Sequence, residues 1–558
     1  MKIIQKFLCI AVFTLVLLGV VLWLTPQPVT PLPQFVIQAP DSSVQNIAIY
    51  DAGDGNYYVF LPSYARMEDL TVSSLRSHIY ALEETVLTDG MSCGDFATET
   101  PYVFSVDHRE TATLRFCRSA NVATMYVDTV SGSMKYLHQN KDHKEAAALA
   151  LYTADGQLQY SDSRISMSGR GNASWEYDKR PYTITLSADH AMLDMPAAAK
   201  WVLLANAADE TNLNNKLMLD LASAVGLEWT PQCRWVDLYL NGEYSGLYLL
   251  AEKVEVHPNR LDLDPGDFLC RIDLEERWPT LSNPFLTDGG RTVEVSYPEI
   301  PAAGQPEAIR SLVNQLEQVI LSGEDLSNCG ILDLDSWVRR YLIDEISANI
   351  DADLASSYFY FREGTIRAGP LWDYDMTLGN FPRNQDPHAF IAKNLYKSDS
   401  LVSPFYSALY GNPSFYNRMV ELYRAEFVPR LQQLLDGGID RQIAFIADAS
   451  RCNSLRWRTM YDNLTADVVH SPEALKDYFS RRVRFLDSAW LEGIPYCTVQ
   501  FESRPGSAYR TVSVEQGGLL QTPYINIETT VWVDPETGEP FDFRQPVTSD
   551  RILSKLEQ

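Results

Sequence analysis

The hydrophobic pattern along the chain changes character twice. From about Gln34 to Ala150, short apolar or alternating runs are bounded by Gly, Asp and Pro: Asn46–Tyr50, Tyr57–Leu61 and Thr113–Cys117. Such runs read as strands of a β-rich accessory domain. Strands continue from Leu151. Tyr182, Ile184 and Leu186 alternate with Thr183 and Thr185, which is the period of a half-buried strand. Thr211 to Val225 breaks the series with helical spacing at Leu213, Leu217 and Leu221, ended by Gly226. Arg234–Leu240, Asn241-Gly242 and Tyr244–Val254 form a hairpin, because both turn positions need positive φ and Asn-Gly supplies it.

After Pro306 the period becomes helical. Glu307–Ile320 is one helix, and Asp335–Ile350 another, with Val338, Leu342 and Ile346 on one stripe. A short hairpin, Tyr358–Phe361 and Ile366–Trp372, interrupts them. Helices resume at Pro404, and Ser471-Pro472 is an N-cap followed by a first-turn proline. Strands followed by helices predict an α+β chain of two lobes with a cleft between them. Tyr496 to Gln558 is strand-like again. The reading divides the chain into 1–34, an N-terminal segment and Pro-rich spacer; 35–150, the β-rich domain; 151–494, the central domain; and 495–558, a small module.

The N-terminus adds a location. Lys2 and Lys6 precede the apolar run Phe7–Leu24, 18 residues without a charge. That is near the minimum for a spanning helix, and no small-residue cleavage pattern follows. The expectation is a signal anchor with a cytoplasmic stub and an extracytoplasmic remainder; the alternative is a secreted or spore-coat protein after signal cleavage. Acids outnumber Lys and Arg 73 to 46, for a net charge of -27. This argues against nucleic-acid backbones and against anionic membrane surfaces as partners of the soluble part. A nucleoside triphosphate stays possible, because carboxylate-held metal ions neutralise it. Seven scattered cysteines lie beyond the anchor, without a CxxC. They allow one or two bridges, with Cys93 and Cys117 the nearest pair, or buried free thiols.

There is no Gly-Lys dipeptide of a Walker loop, no H-E-x-x-H, and neither H-R-D nor D-F-G. Three segments can carry chemistry. Gly169-Arg170-Gly171-Asn172 permits a tight turn with exposed amides suited to phosphate oxygens, and Lys179 follows at the entry to a strand. Asp351, within Asn349-Ile-Asp-Ala-Asp353, ends a helix, where an acid can accept a hydroxyl proton or bind a metal. Asp373 and Asp375 stand two apart after an apolar strand; they share one face if the strand persists and can then hold Mg²⁺, or cap a turn if it ends. Taken singly, each is more often an ordinary turn. Abundant acids and tryptophans leave a carbohydrate-active enzyme as a further reading, were two carboxylates to face each other across a cleft.

Their order matters more. A glycine turn, a lysine, a helix, a hairpin, a loop Asp and a further Asp after a short hairpin follow one another as the parts of a protein kinase do. With Lys179-Arg-Pro-Tyr182, Lys200–Asn206, Asn241–Glu252 and Trp372–Asp375, the region from about Ile165 to Asn380 resembles the spore-coat protein H (CotH kinase-like) family, more loosely to about Glu492. The resemblance implies an atypical kinase fold that transfers the ATP γ-phosphoryl group to Ser or Thr of secreted or surface proteins, with Mg²⁺ or Mn²⁺. Carried over by position, Gly169, Arg170, Gly171 and Asn172 would cover the phosphates and Lys179 would contact them. Glu252 would sit near a hinge, Asp351 would be the catalytic acid, Asp373 the metal ligand and Asp375 its substitute. Two positions depart: Ser356 stands where ordinary kinases place Asn, and the Thr211–Val225 helix offers Asp220 but no central Glu for Lys179. A non-catalytic surface or spore-coat assembly protein is the alternative function. The tail, Tyr496–Phe501, Val514–Gly518 and Asp534–Phe543, resembles one copy of a Listeria–Bacteroides repeat, a β-grasp-like module that implies spacing or adhesion.

Overall fold

The computed structural model describes residues 32–74, 78–393, 395, 405–463, 469–504, 507–520 and 530–556. The chain is mixed α+β and β-rich, with several sheets. It divides into two compact units. One comprises residues up to Gln38, Ser43–Val59 and Arg66–Cys117; the other comprises Ala39–Ser42, Phe60–Ala65 and Arg118–Gln558.

The first unit is built from strands. β1 (Gln34–Gln38) lies between β2 (Val44–Ile47) and β5 (Leu70–Ser74), antiparallel to both. A six-stranded sheet runs in the order β3 (Ile49–Asp51), β4 (Asn56–Leu61), β9 (Arg109–Arg118), β8 (Tyr102–Val106), β6 (Tyr80–Leu82), β7 (Thr85–Val86). None of the seven cysteines among the described residues, Cys93 and Cys117 included, is in a disulfide, and all but Cys329 are buried. The buried ones occupy core volume as small side chains.

The second unit begins with a closed barrel of β10 (Ala123–Thr129), β11 (Lys144–Tyr152), β12 (Leu158–Gly169), β13 (Tyr182–Met192), β14 (Met195–Leu204), β16 (Glu243–Glu252) and β15 (Cys233–Leu240), in that order. All neighbours are antiparallel except β10 and β15, whose parallel pairing closes it. β11 runs across residue 150, so the barrel includes two strands from before the sequence boundary drawn there. Inward side chains such as Met125, Leu151, Ile184, Leu203 and Leu250 fill the interior, as alternation along each strand requires. Asn241 (φ 53°) and Gly242 (φ 80°) make the β15–β16 turn as their identities predict. The predicted helix is Asn214–Ala224, and it packs on the Leu334–Ile346 helix in the main core.

Beyond the barrel, β18 (Pro284–Leu286), β19 (Thr292–Tyr297), β17 (Phe268–Ile272), β20 (Ser357–Arg362) and β21 (Thr365–Ala368) form an antiparallel sheet. The longest helices are Gln305–Ser322, Leu334–Ile346, Ile439–Asp462 and Pro472–Trp490. Ser471 caps the last, its Oγ accepting the Ala474 amide at 3.1 Å. A four-stranded sheet, β23 (Ser507–Glu515), β22 (Tyr496–Arg504), β25 (Arg551–Lys555) and β24 (Trp532–Val533), ends the chain. Among the described residues no helix is long and apolar enough to cross a membrane. The anchor expected at Phe7–Leu24 lies outside the described residues.

Candidate functional site

A cavity of about 570 Å³ gathers most of the sequence-selected residues. Gly169, Arg170, Gly171 and Asn172 line it from the end of β12 and the turn after it; Asp351, Ser356, Asp373 and Asp375 line it from the two loops beside β20 and β21. Residues some two hundred positions apart in the chain thus meet on one space.

The glycine turn is dictated by crowding. A Cβ on Gly169 would lie 2.3 Å from the Trp175 ring and 2.8 Å from Lys141 Cα, and Gly171 has φ 85°. Lys141 Nζ props the turn, donating to Gly171 O at 3.1 Å and to Asn172 Oδ1 at 3.0 Å. The Arg170 amide is spent on Pro181 O. Its guanidinium stacks over Trp372, 4.8 Å from the ring centroid. Burial lowers its pKa, against the pull of the Asp373 charge.

Asp351 stands in the loop after the Leu334–Ile346 helix. Its amide donates to Asn349 Oδ1 at 3.0 Å, fixing the turn. Burial first, then the negative charge of Asp373, pushes its pKa up to about 6, while Arg277 and Arg383 pull it down. Asp353 does not reach the cavity: it is buried, pairs with Arg291 at 2.9 Å and accepts the Tyr406 amide at 3.1 Å.

Asp373 and Asp375 are not strand residues. β21 ends at Ala368; Gly369 (φ 118°) and Pro370 follow, and Asp373 has φ 70°. Proline has no N–H to extend a ladder, so an irregular segment presents both acids. Ser356 Oγ donates to Asp373 Oδ2 at 2.9 Å. The Asp375 pKa is raised well above the ordinary value by burial, then by the charges of Asp373, Asp351 and Asp209. The negative charge of Asp373 thus raises the pKa of both Asp351 and Asp375. Among the described residues, no three His, Cys, Asp or Glu side chains gather as a ready-made metal cage.

Two sequence-selected residues lie elsewhere. Lys179, expected at a strand entry beside phosphate, sits in a bend ahead of β13 and is fully buried. Its Nζ donates to Leu247 O at 2.7 Å and lies 5.0 Å from the Tyr248 ring centroid, and it does not line the cavity. β14 covers β16 only from Leu249 onward. The earlier part of β16 draws on side chains: Lys179, Arg456 (to Tyr244 O, 3.0 Å), Trp457 (to Ser245 O, 2.9 Å) and Asn453, whose Oδ1 accepts Leu247 N–H at 3.1 Å. Glu252 ends β16 opposite Trp201, and its Oε2 accepts the Gln232 amide at 2.8 Å. It too is off the cavity. Asp220, on the helix without a central Glu, is bonded to Lys216.

The sequence reading missed the remaining polar wall. Arg271 and Arg277 line the cavity but are committed: Arg277 Nη1 to Asp273 Oδ1 at 2.9 Å, Arg271 Nη2 to Glu294 at 2.8 Å and Asp273 at 3.0 Å. Asn206 and Asn215 also line it. Asn206 lies at the end of the quoted Lys200–Asn206 segment, where the unusual signal was an Asn closing an apolar strand.

A family model described as CotH kinase protein matches residues 167–486, more than half of the chain. The match begins inside β12 and spans Asp351, Asp373 and Asp375. No curated protein matches the chain.

Proposed function

Because the chain belongs to the CotH kinase protein family, we propose that it is an extracytoplasmic atypical kinase that transfers the γ-phosphoryl group of ATP to Ser or Thr of secreted or surface proteins. The observation that carries this reading is the convergence of the Gly169–Asn172 turn with Asp351, Asp373 and Asp375 on one cavity. In it the barrel corresponds to one lobe and the helices with the β17–β21 sheet to the other. The acceptor would be a Ser/Thr-rich protein outside the cytoplasm, and the membrane would be met only through the N-terminal run.

Asp373 and Asp375 would hold Mg²⁺ or Mn²⁺. Such a cation needs only one or two carboxylates when phosphate oxygens complete its shell, and the negative charge that Asp373 brings to bear on Asp351 and Asp375 fits it. Bound there, the metal ion supplies neutralisation of the triphosphate charge. Asp351, its pKa pushed up to about 6, accepts a hydrogen bond from the acceptor hydroxyl and takes its proton. Ser356 holds one oxygen of Asp373 and so fixes the direction of the other. Incubating the full-length chain with labelled ATP, Mg²⁺ or Mn²⁺ and Ser-rich peptides should give transfer that falls about 10²-fold or more in Asp351→Asn and is lost in Asp373→Ala. Equal transfer by wild type and Asp373→Ala defeats the reading.

One observation favours a second reading, a non-catalytic nucleotide-binding assembly protein. The cation placed by resemblance on the phosphates, Lys179, is spent inside the barrel wall. Stabilisation by Mg²⁺–ATP without transfer to any peptide selects this reading over the first.

A further inference from the structure

With Lys179 turned inward, the cavity needs another donor for an anionic ligand, and its hydrogen bonds identify one. Tyr374, between the two acids, donates its amide to Asn215 Oδ1 at 2.8 Å. A backbone N–H can only donate, so this bond fixes which end of the Asn215 amide is oxygen. Its Nδ2 then donates to Asn206 Oδ1 at 3.0 Å. That leaves the Asn206 NH₂ group. It is buried, with the residue 3% exposed, it belongs to a residue lining the cavity, and it has no hydrogen-bond partner among the described residues. A buried donor without an acceptor is destabilising, and such a group at a cavity wall marks a place for a ligand acceptor. Arg170 repeats the pattern: unlike Arg271 and Arg277 it makes no direct ion pair among the described residues, and its Nη1 is buried without a partner.

We propose that Asn206, oriented through Asn215 by the Tyr374 amide, donates to a phosphoryl oxygen of the metal-bound ligand together with Arg170, and that Lys179 does not touch that ligand. This rests on the cavity taking a metal–polyphosphate. It assigns Asn215 as a positioning residue: the relay couples the donor on the barrel side to the backbone between Asp373 and Asp375, so ligand oxygen and metal ligands are set by one chain of bonds.

The test is calorimetric binding of Mg²⁺–ATP and of Mg²⁺–tripolyphosphate to the full-length chain. Asn206→Asp keeps the shape, removes both donors and adds a charge; it should weaken both ligands at least tenfold. Arg170→Gln should do the same, Asn215→Ala should weaken both about fivefold, and Lys179→Met should bind within twofold of wild type. Melting of each ligand-free variant checks folding, and Asn206→Ala replaces Asn206→Asp under the same criteria if the latter loses its cooperative transition. Wild-type affinity in a folded Asn206 variant, or loss of binding in folded Lys179→Met, overturns the proposal. Binding of tripolyphosphate but not ATP, with the same dependence on Asn206, sustains it while removing the nucleotide reading. Binding of neither by wild type removes both.

Discussion

Lys179 and Asp237 show how single residues acquire a role the sequence does not announce. Both are fully buried. Burial depresses the Lys179 pKa to about 7, although the charges of Asp209 and Asp237 oppose this. Burial pushes Asp237 up to about 7, against the hydrogen bond from Tyr244 and the charge of Lys179. Between pH 7 and the ordinary lysine value, the unfolded chain binds a proton at Lys179 that the folded chain has lost. Stability therefore rises with pH in that window, by at most ~1.4 kcal/mol per pH unit. Asp237 acts in the opposite sense: below pH 7 the folded chain keeps a proton the unfolded chain has released, so stability falls as pH rises toward 7. Urea unfolding should show Lys179→Met losing the rise between pH 7 and 9 and Asp237→Asn losing the fall between pH 5 and 7. Unchanged slopes in both variants would dismiss the buried pair.

The glycines of the turn invite a comparison at the same scale. Gly169→Ala drives a methyl into Trp175 and into the Lys141 backbone, whereas a Cβ on Gly411 meets nothing within 4 Å. Overpacking of this kind costs typically 1–3 kcal/mol. Denaturant midpoints should place Gly169→Ala that far below wild type and Gly411→Ala within about 1 kcal/mol of it. Gly169 was legible in the sequence as a turn glycine. Its physical reason, the indole packed across it, was not, because Trp175 reaches it through the fold of the loop.

At the scale of elements, periodicity and punctuation carried most of the information. The alternation at Tyr182–Leu186, the Asn241-Gly242 turn and the Ser471-Pro472 cap reappear as β13, the β15–β16 hairpin and the Pro472–Trp490 helix. Each depends on neighbours close in sequence, so each can be read locally. Ser471→Ala removes the acceptor of the Ala474 amide and should cost about 1 kcal/mol by chemical denaturation; a loss under 0.3 kcal/mol would mean that solvent replaces the cap. Local signals failed where a strand end mattered. The run Ile366–Trp372 looks like one strand, yet Gly369-Pro370 stops the ladder at Ala368 and turns the acids out on irregular backbone. The sheet pairing that carries β10 and β11 into the barrel is equally non-local. β10 has nothing in its own sequence to say that it closes the barrel by pairing in parallel with β15, about 110 positions later.

At the scale of the molecule, the tail sheet is more than a spacer in its contacts. The segment after the Trp372–Asp375 acids is tied on one side to the helical core: Glu345 accepts the amides of Ile391 at 2.7 Å and Lys393 at 3.1 Å, and pairs with Arg482 at 2.5 Å. On its other side it is tied to the tail. Phe390 N–H donates to Ser513 Oγ at 2.9 Å, Leu395 N–H to Gln500 Oε1 at 3.1 Å, and Lys393 Nζ reaches Asp550 at 2.5 Å. Lys393 is 7% exposed, so Asp550 is the counter-charge of a nearly buried cation. Removing one partner of such a pair leaves the other charge without compensation, while removing both leaves neither. Asp550→Ala should therefore lower stability by about 2 kcal/mol and Lys393→Met by less. The double substitution should recover at least ~1 kcal/mol of the sum, the coupling energy of a double-mutant cycle. Limited proteolysis supplies the spatial half of the test: in Asp550→Ala, cleavage should rise within 386–395 before it rises elsewhere. Additive single substitutions with unchanged cleavage at 386–395 would mean that the tail is held by its own hydrophobic core alone, and that the loop beside the acids is independent of it.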